Sequence, residues 1–183
     1  LACGSSVRLE AVATVIRESG TRTLSFLSAL PYEKALEKLG SALAEAARPV
    51  ATVPPPDGEV DVILSPSAAA VFWHEAVGHP LEADGGELVS VLARVPEAVV
   101  APPGVDVIDD PGRRDLPGAY LVDDEGTPAR RVPLIVDGCV RGLLTDRRSS
   151  GANANGHGRT PDYRRPVRAR MSNLVVLAGR APM

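Results

Sequence analysis

Apolar and polar residues alternate through much of the first 28 residues. Residues Ser6–Ile16 and Thr21–Ser28 alternate branched and polar side chains on either side of Ser19-Gly20, which predicts a β-hairpin. Pro31 then opens a stretch with helical spacing of apolar residues, and proline is favoured in the first turn of a helix. Its apolar stripe consists of Ala35, Leu36, Leu39, Leu43 and Ala46. We interpret this stripe as ordinary core.

A proline-rich linker at residues 49–58 divides the chain. Beyond it, the apolar run Val60–Leu64 predicts a buried strand. Ser65-Pro66 is typical of a helix start and predicts a helix from Ser67 to Gly78. Because this helix is apolar on nearly every side, we expect Ala68 to Trp73 to be buried against a sheet.

Strand signals dominate the rest of the chain. Residues 118–122 run into a turn at 124–126, and residues 132–136 and 140–144 flank Asp137-Gly138, a dipeptide typical of tight hairpins. A last short strand is expected at 174–177. The pattern predicts an α+β protein, mostly antiparallel β-sheet with a buried motif helix. The end of a smaller α/β domain (residues 1–53) precedes a β-rich domain (residues 57–183).

Composition narrows the class of protein. A chain of 183 residues with 44% apolar residues can bury a sizeable core. It has no run of about 18 apolar residues that would span a bilayer, and its first residues lack a signal-peptide pattern. Two cysteines far apart make no disulfide framework, which fits a reducing compartment. We therefore expect a globular cytoplasmic protein without a membrane partner.

Charge is distributed unevenly along the chain. Residues 82–126 hold eleven acidic and three basic residues, whereas residues 141–170 hold eight arginines and two aspartates. Clustered arginine can indicate nucleic-acid binding, but this stretch contains one aromatic residue, Tyr163, and no base-stacking pattern, so nucleic acid is disfavoured. Two interpretations stay open: arginines that hold peptide carboxylates, and a solvated face.

Two of the three histidines flank a glutamate in the segment WHEAVGHPLEAD, residues 73–84. Neutral imidazole is a favoured zinc ligand, and a carboxylate beside the metal can take a proton from bound water. His74, Glu75 and His79 therefore predict metal-assisted hydrolysis. The alternative is a helix that carries two unrelated histidines.

The spacing of the two histidines is unusual for a zinc site. His74 and His79 are five residues apart, and in an ideal helix of about 3.6 residues per turn a step of five turns the side chain by roughly 140°. A π-type turn with i→i+5 bonding would align the two imidazoles, and such turns are frequent at functional sites. Gly78 and Pro80 favour a local irregularity, and Pro80 should bias His79 out of the α region.

The motif HEAVGHPLEAD, residues 74–84, closely resembles the metallopeptidase motif of the TldD/PmbA proteins, also called modulators of DNA gyrase. The resemblance covers most of residues 57–179, and further similar segments follow in family order. These segments are Leu116–Tyr120, Val122–Pro128, Gly156–Arg159, Arg170–Leu174 and Ala178-Gly179. The resemblance implies zinc bound by His74 and His79, with Glu75 as the catalytic base.

The family pattern also bears on what lies outside this sequence. Family members complete the zinc site with a cysteine in a glycine-rich stretch beyond the point where this sequence ends at Met183, so we expect the third ligand there. We expect the sequence to be a middle fragment of a TldD-like subunit, and a naturally short homologue stays open as the alternative. The resemblance further implies a dimer, either with a PmbA-like partner subunit or with a second copy.

Other residues of the chain are weaker ligand candidates. They are Glu82, Asp84, Cys139, Cys3 and His157. We expect Glu82 and Asp84 to orient a ligand or lie at the surface, and Cys139 to be an apolar filler. His157 lies in the glycine-rich stretch 151–158, which we expect to be an exposed, flexible loop with a possible role in substrate contact.

Two functional hypotheses follow. In the first, the full protein is a zinc peptidase that hydrolyses unfolded or leader peptides, and Glu75 activates zinc-bound water. In the second, this chain is a non-catalytic domain that retains the motif but serves peptide binding or assembly, because it lacks the third zinc ligand.

Overall fold

The computed structural model describes residues 9–17, 20–28, 32–48, 54, 56–83, 90–95, 97–177 and 179. The chain forms two compact units. Unit 1 comprises Leu1–Ile63 and Asp115–Pro117, and unit 2 comprises Leu64–Arg114 and Gly118–Met183. The domain boundary expected at residues 53–57 stays a prediction.

Unit 1 contains the expected hairpin and helix. Strands β1 (Leu9–Arg17) and β2 (Gly20–Ser28) pair antiparallel along their whole length, and α1 (Tyr32–Ala46) contacts both. Ala35 is buried in α1, while Leu36 is 43% exposed, so the predicted stripe is only partly core. Residues 6–8 of the predicted first strand lie outside the described residues.

The strand predicted at Val60–Leu64 is wrong. Residues 59–64 have no regular structure, and Ile63 is fully exposed. A branched, apolar run favours a strand only when a neighbouring strand accepts its hydrogen bonds, and within the described part of the chain none pairs with it.

Unit 2 is built on a four-stranded antiparallel sheet, as predicted for this half of the chain. The motif helix α2 (Pro66–Trp73) precedes it, with two one-turn helices, α3 (Val91–Arg94) and α4 (Arg147–Ser150), further along. The strands of the sheet are β3 (Val107–Asp109), β4 (Val132–Val136), β5 (Cys139–Val140) and β8 (Leu174–Val176). They lie in the order β5-β4-β3-β8. A separate two-stranded ribbon pairs β6 (Gly158–Arg159) with β7 (Arg168–Ala169).

The hairpin at Asp137-Gly138 is confirmed. Both residues have positive φ, +51° and +77°, as a tight hairpin turn requires. The second strand is shorter than predicted, because Leu144 leaves the sheet and forms a parallel bridge with Glu82. The other hairpin signal, a strand at 118–122 with a turn at 124–126, is reduced to one bridge between Val122 and Pro128.

The core of unit 2 joins the sheet to the end of the motif helix. Its buried members are Val77, Leu81, Val107, Val132, Leu134, Ile135, Val140 and Leu144. Burial of the motif is predicted for Ala68 to Trp73, whereas the buried residues of the motif include Val77 and Leu81. The prediction is wrong for α2, in which no residue is buried and Phe72 is 52% exposed. Of this helix only Trp73 packs against the core cluster, because the described part of unit 2 offers no surface to its other sides.

None of the helices in the described part of the chain has the length and apolar character needed to cross a membrane.

Candidate metal centre

A π-turn in the motif brings the two histidines together. Ser65 begins α2 by accepting a hydrogen bond from the amide of Ala68 at 3.4 Å. The α-helix ends at Trp73, and residues His74–Gly78 form a π-turn in which the amide of His79 donates to the carbonyl of His74. One turn therefore spans five residues, as predicted, and places both imidazoles on one face.

Pro80 does not displace its neighbour from helical geometry, contrary to expectation. His79 has φ −59° and ψ −43°, and it begins a single 3₁₀ turn, His79–Leu81. Pro80 lies in the first turn of this new helix, where its missing N–H is not needed for an intrahelical hydrogen bond. The chain can therefore continue to wind beyond His79.

The side chains of His74, Glu75 and His79 form one cluster, here called the His-Glu-His cluster. One potential ligand atom from each residue lies within 4.8 Å of the other two. The imidazole rings of His74 and His79 have centroids 4.6 Å apart and planes at 83°. All three residues are exposed, so a metal and a substrate can reach them. No other such group of His, Cys, Asp or Glu forms among the residues that the structure describes.

The opposite side of the turn is held in the core. Val77 and Leu81 are buried in the apolar cluster, which fixes the turn against the sheet. Gly78 allows a close approach by Met171, because a Cβ at position 78 would lie 1.9 Å from the Met171 sulfur. The packing of Val77, Leu81 and Met171 thus holds the His-Glu-His cluster in place, although the cluster is itself exposed.

Glu82 orients His79 from the buried side. Its Oε2 atom lies 3.1 Å from Nδ1 of His79, and the Glu82 side chain is only 4% exposed. Arg170 Nη1 donates to the same oxygen at 2.7 Å, and the amide of Met171 donates to Oε1 at 3.0 Å. With Nδ1 engaged by the carboxylate, the Nε2 atom of His79 is left for a metal. Glu82 thus contacts the histidine, as expected, and is not part of the cluster.

The remaining ligand candidates do not join the cluster. Cys139 is a half-buried, free cysteine in β5 and does not belong to it. Cys3 and Asp84 lie outside the described residues.

His157 is completely buried, so the expectation of an exposed loop histidine is wrong. Its Nε2 lies 2.9 Å from Oδ1 of Asp109, and its Nδ1 lies 3.0 Å from Oδ1 of Asn155. Asp109, also fully buried, accepts further hydrogen bonds from the amide and hydroxyl of Ser172. The predicted flexible loop is in large part packed structure, because its polar side chains find buried partners.

Tyr120 is a half-buried polar residue of the same region. Its hydroxyl donates to the carbonyl of Gly156 at 3.0 Å, and the guanidinium carbon of Arg159 lies 4.3 Å from the ring centroid. Burial raises the pKa of Tyr120 to about 12, although the neighbouring Arg159 acts in the opposite direction. Tyr120 is therefore neutral at physiological pH.

Sequence reasoning missed the roles of Arg170 and Met171. Both belong to the segment Arg170–Leu174, whose only signal in the sequence is its similarity to the TldD/PmbA proteins. Their contacts with Glu82 and Gly78 bridge about ninety positions of the chain. No local pattern in the sequence signals such a pairing.

The fold presents an exposed His-Glu-His cluster whose donor types suit a metal ion. Residues 57–183 match the family model described as the PmbA/TldA metallopeptidase C-terminal domain. The chain belongs to this family, the PmbA/TldD metallopeptidases.

Individual relatives agree with this assignment. The chain is 35% identical over 151 residues to a metalloprotease of Methanothermobacter thermautotrophicus. This match covers 79% of this chain and 32% of that protein. It is 34% identical over 134 residues to a zinc metalloprotease TldD homolog of Saccharolobus solfataricus, and this match covers 70% of this chain and 30% of that protein. The chain thus spans about a third of the length of these relatives.

A solved structure shows the same fold. It is a Thermotoga maritima protein named as a candidate modulator of a DNA gyrase, with a TM-score of 0.71 and 22% identity. The match covers 94% of this chain and 40% of that one.

Proposed function

We propose that the whole protein is a zinc-dependent peptidase of the TldD type that hydrolyses unfolded or leader peptides. The observation that carries the proposal is the His-Glu-His cluster, whose potential ligand atoms lie within 4.8 Å of one another. Membership of a metallopeptidase family and the zinc metalloprotease name of one relative support it.

The donor set fits zinc. Two imidazoles are among the ligands that zinc prefers, and a catalytic zinc site has three protein ligands and one open position. His74 and His79 would supply two ligands, and we place the third on a cysteine outside these 183 residues. A zinc ion bound there would polarise the scissile carbonyl and acidify water.

Glu75 is the general base in this proposal. Its carboxylate is exposed and lies beside both histidines, within reach of a water molecule at the cluster. It accepts a proton from the attacking water and then delivers a proton to the leaving amine nitrogen. Glu82, held by Arg170 and Met171, keeps the imidazole of His79 in a fixed orientation during this step.

We further propose that the protein works in the cytoplasm as a dimer, with a PmbA-like subunit or with a second copy. The family resemblance supports the dimer, and the low cysteine content supports the compartment. A non-catalytic role in peptide binding or assembly is the competing hypothesis.

Metal removal tests the proposed function directly. The full-length protein is expected to contain about one zinc per chain and to hydrolyse an unfolded peptide such as reduced, alkylated insulin B chain. Prolonged treatment with a chelator should abolish hydrolysis, and added zinc should restore it. Zinc-free protein with undiminished activity would contradict the proposal, and zinc-loaded protein that binds the peptide without cleaving it would favour the non-catalytic role.

Glu82→Gln is expected to weaken zinc binding by roughly 10–100-fold, because the neutral amide holds His79 less strongly than the carboxylate. Competition with a chromogenic chelator measures this change. Glu97→Gln is the matched control, since Glu97 is exposed and pairs with Arg141 instead. Equal zinc affinity of the Glu82 variant and the wild type would show that Glu82 does not orient the ligand.

A further inference from the structure

An arginine-lined cavity shares two lining residues with the support of the His-Glu-His cluster. It has a volume of about 550 Å³, and its lining includes Arg159, Arg165, Arg168 and Arg170. We call it the arginine cavity. Among the described residues, no aspartate or glutamate lines it. The structure thus gathers into one concave site four of the eight arginines from the basic stretch 141–170.

Two residues link this cavity to the candidate metal centre. Arg170 lines the cavity and donates to the same Glu82 oxygen that contacts Nδ1 of His79. Met171 also lines the cavity and packs against Gly78 of the π-turn. The segment Arg170-Met171 therefore belongs both to the wall of the cavity and to the support of the cluster.

Three of the cavity arginines have carboxylate partners, and of these only Arg170, 2.7 Å from Glu82, is held closely. Arg159 lies 3.5 Å from Asp124, and Arg165 lies 3.8 Å from Asp162, both at the long end of ion-pair distances. The Arg165 side chain is 72% exposed. Tyr120, which packs against Arg159, keeps its proton because burial raises its pKa to about 12, so it adds no negative charge.

We propose that the arginine cavity binds a carboxylate of the peptide substrate, either the C-terminal carboxylate or an aspartate or glutamate side chain near the cleaved bond. The inference rests on the proposed peptidase function. Guanidinium groups suit this ligand because they offer paired donors to the two oxygens of a carboxylate. Binding of a carboxylate in the arginine cavity would make the enzyme prefer peptides with a carboxylate at a set distance from the cleaved bond.

Nucleic acid fits the cavity less well, although a phosphate also pairs with arginine. Binding of single strands relies on aromatic side chains on which bases stack. No aromatic residue lines the cavity in the described part of the chain. Tyr163, the one aromatic residue of the basic stretch, is 87% exposed, and the guanidinium group of Arg164 lies over its ring.

Peptide binding without cleavage tests the proposal. The zinc-loaded, full-length protein carrying Glu75→Gln is titrated with decapeptides of alanine, glycine and serine that carry an uncharged N-terminal dansyl label. Four forms combine a free or amidated C-terminus with a central aspartate or asparagine. Arg165→Gln with Arg168→Gln removes two cavity charges, and Arg148→Gln, an exposed arginine outside the cavity lining, is the matched control.

We expect one carboxylate to tighten binding by roughly tenfold, the usual effect of a charge-assisted hydrogen bond. A gain with the free C-terminus identifies that group as the ligand, and a gain with aspartate identifies the side chain. The gain should fall below about twofold in the double variant and persist in Arg148→Gln. Equal binding of all four peptides with intact arginines overturns the cavity proposal and leaves the peptidase proposal standing.

Two other outcomes would also overturn it. If no peptide form binds the zinc-loaded protein, the proposed peptidase function fails and the carboxylate site fails with it. If a decamer of thymidylate binds more tightly than every peptide and displaces them, the cavity is a phosphate site of a nucleic-acid-binding surface.

Discussion

Glu75→Gln is expected to lower peptide hydrolysis by the full-length protein about 10²–10⁴-fold, the usual contribution of a general base. Glutamine keeps the size of the side chain but cannot accept a proton from water. Because His74 and His79 are unchanged, zinc content should stay near one per chain. Steady-state hydrolysis of an unfolded peptide and metal analysis of the same preparation measure both quantities.

Glu59→Gln is the matched control for this experiment. It makes the same chemical change at an exposed glutamate outside the His-Glu-His cluster, and activity should be unchanged. A Glu75→Gln protein that retains full activity would mean that another group takes the proton, and the assignment of Glu75 would be wrong. A protein that loses its zinc together with its activity would instead make Glu75 a ligand.

His74→Ala should leave the purified full-length protein with little or no zinc. The substitution removes one imidazole from a cluster whose donors lie within 4.8 Å of one another, so the metal loses a ligand that nothing else in the cluster replaces. Since His74 is exposed, the fold should change little and the melting temperature of the zinc-free protein should stay close to that of chelated wild type. Metal analysis and thermal unfolding provide the two readouts.

The third histidine supplies the matched control. His157→Gln should retain about one zinc per chain but unfold at a lower temperature, because it disturbs a buried hydrogen-bond network with Asp109 and Asn155. The two variants thus separate metal binding from stability. Zinc retained by His74→Ala, or lost by a folded His157→Gln, would reverse the roles assigned to these residues.

Local sequence patterns predicted much of this protein. The period-two alternation of residues 9–28 and the Asp137-Gly138 dipeptide both led to observed hairpins, and apolar spacing located α1. The five-residue step between His74 and His79 predicted the π-turn, because only that winding aligns them. These features depend on backbone geometry within a few residues, so the sequence by itself determined them.

Only the tertiary structure decided how the site is supported. Glu82 is paired with Arg170 and Met171, nearly ninety positions away, and such a pairing depends on the path of the whole chain. Burial likewise depends on which surfaces meet: polar His157 is enclosed, while the apolar Val60–Leu64 and Phe72 are exposed. Residue type states what a side chain prefers, but the neighbours that fill the space around it come from distant segments.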